Sequence, residues 1–192
     1  MMKNLAVIFP GLDYSLEKPL LYYAEKIVRN FGFEVVEISY GKLPEGEKRK
    51  VLDYALLAAN VAVNKISFEK YDNIFFISKG NGTAVAGSVL KNMLQEVYHI
   101  LFAPINEAVS YFSEDCLVFT SSNDPAIHMA EVMKRHGEIA FELHVSKEAD
   151  HNLELGDALK DIFMLRKIQE ICHRYIGKRI SAKEAGDDTS NC

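Results

Sequence analysis

Short, wholly apolar runs that alternate with longer segments of helical periodicity constrain this chain more than any other feature. Leu5-Ala6-Val7-Ile8-Phe9 is the first such run, closed by Pro10-Gly11. Its apolar residues are consecutive, so a strand there buries both faces. Leu16–Phe31 follows, with Leu20, Leu21, Ala24, Ile27, Val28 and Phe31 at helical spacing and Gly32 placed to stop it. The alternation then repeats. Further strands are expected at Phe33–Ser39, Asn73–Ile77, Ile100–Ala103, Leu117–Thr120 and Ile139–Leu143, and helices at Lys48–Ile66, Thr83–Tyr98, Pro125–His136 and Glu154–Ile176. Strands buried on both faces and separated by helices form a parallel sheet covered on each side. The expected fold is therefore α/β, with three α/β/α layers around a doubly wound, mainly parallel six-stranded sheet in a single domain over residues 1–178. The polar stretch 179–192 is expected to be a disordered tail.

Composition narrows the partners. At 192 residues the chain can bury a substantial core. Its 22 basic and 27 acidic residues give a net charge of −5, which offers no basic face to nucleic acid or to an anionic membrane. Cys116, Cys172 and Cys192 are odd in number and scattered, which favours reduced thiols over a disulfide framework. The opening residues lead straight into a strand-like run too short for a signal peptide, and no apolar run approaches the roughly 18 residues of a membrane span. The expectation is a cytoplasmic protein with no nucleic-acid or membrane partner, no metal and no cofactor.

Ligands of an open parallel sheet bind at the carboxyl ends of its strands, and three of those ends carry notable polar residues. Ser78-Lys79-Gly80-Asn81-Gly82-Thr83 turns from a strand into a helix through a small-x-Gly-x-small pattern. Ser121-Ser122-Asn123-Asp124-Pro125 follows a later strand, and Glu148-Ala149-Asp150-His151-Asn152-Leu153-Glu154 precedes the last helix. Each has an ordinary explanation alone. The glycines let a helix pack closely on a strand, Asp124 caps a helix led by Pro125, and His151 is a solvated loop residue.

Taken together and in this order, the three segments resemble the catalytic elements of the α/β-hydrolase family. There a small-x-Ser-x-small nucleophile elbow is followed by an acid and then a histidine. The resemblance runs from Leu5 to Ile176 and is greatest to the small, lidless hydrolases, since the two leading antiparallel strands of larger members have no counterpart. It implies a sheet of the α/β-hydrolase type and a small-molecule acyl substrate or ligand. It assigns Asp124 to orienting His151, His151 to the role of base, and the N–H groups of Leu12 and Asn81 to stabilising an oxyanion. Gly11, Asp13 and Tyr14, in the loop after the first strand, would border the substrate.

The departure from the family is at the nucleophile, whose position is occupied by Gly80. Acyl-enzyme chemistry needs a side-chain hydroxyl, and glycine has none. Ser78 should point into the structure, Ser121 and Ser122 sit on the acid loop, and Cys116 should lie at the opposite edge of the sheet. Glycine also adopts the strained torsions of an elbow at the least steric cost, so Gly80 preserves the fold while removing the covalent step. The expected protein is thus related to serine esterases and acyl hydrolases but impaired or inactive, with residual hydrolysis of roughly 10³–10⁴-fold over water from its remaining groups.

The alternative is a pseudoenzyme, a non-catalytic binder of a small molecule or anion at the glycine-rich helix start. A dinucleotide fingerprint would need Gly or Ala where Val85 stands, and no Gly-Lys-Ser/Thr follows for a phosphate loop. Tyr14, Tyr22, Tyr23, Tyr111 and Phe112 are candidates for an acyl pocket. The stretch from Pro104 to Asp115 is too short for a large cap, so the cleft is expected to be open, and a homo-oligomer would cover it.

Overall fold

The computed structural model describes residues 2–189. Six strands, β1 (Asn4–Phe9), β2 (Phe33–Glu37), β3 (Asn73–Lys79), β4 (Tyr98–Phe102), β5 (Cys116–Ser121) and β6 (Glu142–Ser146), form one sheet in the order β2-β1-β3-β4-β5-β6. Every pairing is parallel. The chain steps outward from β1 to β2, then returns past β1 to β3 and continues to the other edge. The winding reverses between β1 and β3, so the crevice beyond their carboxyl ends is where such a sheet receives a ligand.

Five helices cover the sheet: α1 (Pro19–Asn30), α2 (Lys48–Val63), α3 (Asn81–Leu90), α4 (Met129–Glu138) and α5 (Ala158–Thr189). Strand alternation decides which helix each side chain meets. Phe75 and Ile77 of β3 pack with Ile8, Phe102 and Phe119 against residues of α1 and α5. Ile74 and Phe76 point the other way, with Val7 and Phe9, toward α2 and α3. Leu101 and Val118 join the core beneath α4 on that second side. Burying each of these large side chains is worth about 1.5–3 kcal/mol, which fixes the three-layer arrangement.

Several segments depart from the sequence expectation. The last strand runs Glu142–Ser146 and not Ile139–Leu143, and α4 begins at Met129 and not Pro125. The helix expected over Thr83–Tyr98 stops at Leu90, because the polar turn after it leaves Leu94 exposed and Tyr98 pairs with Phe75 as the first residue of β4. Met93, Leu94 and Val97 imitate helical spacing across that turn. The tail expected after position 178 instead continues α5 through Thr189. There the Arg179 guanidinium lies 4.9 Å from the Tyr98 ring and pairs with Asp115 at 3.3 Å, while Lys183 donates to the Asp72 carbonyl at 2.7 Å. Extending an existing helix through Ala182-Lys183-Glu184-Ala185 carries no nucleation cost. Residues 190–192, Cys192 among them, lie outside the described residues. Among the described residues, no helix is long and apolar enough to cross a membrane.

Candidate functional site

The turn from β3 to α3 sits at the switch point. Gly80 has φ 54° and ψ −123°, a left-handed conformation that L side chains rarely adopt. The turn is pinned on both sides. The Gly80 N–H donates to the Phe102 carbonyl at 3.1 Å, and its carbonyl accepts from the Thr83 hydroxyl at 2.6 Å. One turn further along, a Cβ on Gly82 would collide with the carbonyl oxygens of Phe9 and Pro10. Only glycine there lets the loop after β1 lie directly on the start of α3.

That loop is folded by local bonds, with the Gly11 N–H donating to the Tyr14 carbonyl at 3.0 Å and the Leu20 N–H donating to the Tyr14 hydroxyl at 3.1 Å. Among the described residues, the N–H groups of Leu12 and Asn81 donate to no protein acceptor. Gly11 is buried and Asp13 exposed. Tyr14 is 4 % exposed, its body packing against Leu20 and Lys79, and it lines a small cavity with Asn152 and Leu153. The other aromatic candidates are dispersed. Tyr22 and Tyr23 lie on the outside of α1, Phe112 is buried, and the Tyr111 ring packs against Gly87.

The acid and histidine loops meet across the top of β5 and β6. Ser121 ties them together by donating to the Ala149 carbonyl at 2.6 Å, while Ser122 bonds to the Lys147 carbonyl at 3.3 Å. Asp124 caps a turn rather than α4, accepting from the Ala126 N–H at 2.8 Å. Its second oxygen lies 2.7 Å from His151 Nδ1. Asp150 shapes the histidine loop by accepting from the N–H groups of Asn152 and Glu154. The Asp-x-Asn spacing of an Asx turn was the sequence signal for that role.

Burial pushes the Asp124 carboxyl up, but the hydrogen bonds from His151 and the Ala126 N–H, with the charge of Lys79, outweigh it and hold the acid below its ordinary value. An ionised Asp124 selects the tautomer in which Nδ1–H donates, leaving Nε2 as an acceptor. That nitrogen would lie 3.1 Å from a Cβ built on Gly80. Gly80, Asp124 and His151, distant in sequence, are thus in one place.

The other hydroxyl and thiol candidates are elsewhere. Ser78 is fully buried and bonded at 2.7 Å to the buried His99, whose imidazole burial pushes down to about 3. Cys116 is sealed at the amino end of β5, where burial raises its thiol. Lys79 went unnoticed in the sequence. Its side chain is 1 % exposed and, among the described residues, makes no hydrogen bond or ion pair. It alternates to the α1/α5 face beside Tyr14, and burial depresses its ammonium to about 8 against the pull of Asp124, Asp13 and Asp150.

No protein-family model matches this sequence, and no curated protein is similar to it. Solved structures do match in shape. A lidless α/β serine hydrolase of Xanthomonas campestris superposes with a TM-score of 0.69 at 13% identity, covering 92% of this chain and 82% of that one. An esterase of Pyrococcus furiosus gives 0.67 at 14% identity, over 92% and 83% of the two chains. An α/β serine hydrolase homologue of Coxiella burnetii gives 0.64 at 14% identity, over 90% and 84%. The chain has the α/β-hydrolase fold, with a six-stranded, all-parallel sheet.

Proposed function

We propose that this chain is a non-acylating relative of the serine acyl hydrolases, which holds a small acyl compound in the crevice between β1 and β3. One observation carries the reading: the bare backbone of Gly80, in an elbow conformation, faces His151 Nε2 at the distance where a nucleophile's side chain would begin. His151, held by Asp124, can accept a proton from water and not from a serine. Water would then add to the acyl carbon while the N–H groups of Leu12 and Asn81 meet the developing oxyanion. Cleavage of the acyl–oxygen bond, with the proton returned to the leaving alcohol, would complete the hydrolysis. Without covalent catalysis that route is slow.

The test is Gly80→Ser, assayed with p-nitrophenyl esters of graded chain length beside the parent chain. A gain of ester hydrolysis that vanishes in Gly80→Ser/His151→Ala supports the reading. A folded Gly80→Ser variant with no gain, or a gain that survives removal of His151, overturns it.

A purely binding role is favoured by the Asn81 side-chain amide, whose buried nitrogen has no acceptor among the described residues. A ligand carbonyl or carboxylate at the start of α3 would satisfy it. Short-chain carboxylates that stabilise the parent chain while Gly80→Ser stays inert would select this second role.

A further inference from the structure

The outer surface of α1 and α5 exposes an apolar stripe at the start of α5. Leu159, Ile162 and Phe163 are 79%, 64% and 69% exposed. Beside them a groove of about 640 Å³ runs between the two helices, walled by Tyr23, Ile27, Leu165 and His173. Along α5, Leu159, Phe163, Arg166, Glu170, His173 and Gly177 recur at alternating steps of four and three, which places them on one face. Contiguous apolar surface of this kind marks an interaction site on a soluble protein.

We propose that this face pairs with a second copy of the same chain about a two-fold axis. The charges indicate the occupant and the register. Arg166 and Glu170 are one turn apart and bonded to each other at 2.7 Å, so the stripe carries one charge of each sign. An axis crossing α5 level with Ile168 lays the two helices antiparallel and sets residues equidistant from it face to face. Arg166 then meets Glu170 of the second copy, and the reverse contact follows by symmetry. The same register sets Phe163 against His173, whose ring packs on Phe31 at 4.8 Å, and Leu159 near Gly177, which the Phe31 ring covers, so both apolar side chains meet an aromatic cluster. Apolar burial would supply the affinity and the four-charge cluster the register, because exposed ion pairs alone contribute little. The interface is independent of what the Gly80 crevice binds.

Sedimentation equilibrium over the micromolar range tests it, with far-UV circular dichroism to confirm folding. The parent chain is expected at twice the chain mass and Phe163→Glu at the chain mass. Arg166→Glu should weaken association by roughly tenfold or more, and Arg166→Glu/Glu170→Arg should restore it. A monomeric parent overturns the proposal, and its co-sedimentation with lipid vesicles would give the face to a membrane. A dimer that persists in Phe163→Glu places the interface elsewhere. A double variant as weak as the single one overturns the register.

Discussion

His151 Nδ1 lies 2.7 Å from Asp124 Oδ2, although the two residues are 27 positions apart in the sequence. The carboxylate side chain is fully buried and the imidazole is 30 % exposed, so the acid is held and the base is presented. Replacing Asp124 with Asn should leave the Ala126 cap largely in place but no longer favour the Nδ1–H tautomer. In a Gly80→Ser background the expected loss of kcat is about 10⁴-fold, as for acid-to-amide changes in related triads. A loss below tenfold would show that Asp124 does not orient the base.

Gly80→Ala is expected to cost about 1–2 kcal/mol in urea unfolding, since an L residue at φ 54° is strained. Its Cβ also crowds the His151 ring. The ring can retreat by a few tenths of an ångström only by lengthening its bond to Asp124. An unchanged or increased stability would mean the turn tolerates a Cβ freely.

Gly82→Ala should be more damaging than Gly80→Ala, because the added methyl meets backbone carbonyls and not a movable ring. A cost of at least about 3 kcal/mol, or failure to fold, is expected. If both variants unfold at the same denaturant concentration, the close approach of the β1 loop to α3 is not as described.

Lys79 gives a pH-dependent prediction. Its ammonium titrates near 8 when folded, against 10.5 for an ordinary lysine. Below pH 8 both states carry the proton, and the enclosed charge weakens the fold. Between about 8 and 10.5 the folded state gives up the proton first, so this penalty disappears as pH rises. Lys79→Met should therefore exceed the parent at pH 7 by up to about 3 kcal/mol, and the gap should close by about pH 10.5. A difference equal at both pH values would remove the charge from the explanation.

The apolar runs made the sheet legible, because strands buried on both faces leave an unbroken hydrophobic signature. Phe75, Ile100 and Val118 are where those runs put them. The positions of Gly80, Asp124 and His151 were legible because each follows the carboxyl end of a strand within one short loop. Lys79 was hidden by its neighbours, since a lysine inside a glycine-rich turn reads as solvated until the packing of Tyr14 is known. The end of α3 was hidden because Met93, Leu94 and Val97 fit a helix as well as a turn. The burial of Tyr14 was not legible, because a loop position says nothing of which way its ring folds.

The buried pair of Ser78 and His99 has a bearing on how such sites are recognised. It joins a hydroxyl to an imidazole at 2.7 Å, two residues from the elbow, in the contact that a distance criterion would select first. Yet His99 Nδ1 has no partner among the described residues, and no carboxylate of theirs stands behind the ring to stabilise a proton taken up by it. No substrate reaches the hydroxyl either. His151 has the opposite surroundings, with the Asp124 carboxylate behind it and the Gly80 backbone before it. In this chain the two contacts are divided: one histidine touches the serine, and the other is backed by a carboxylate.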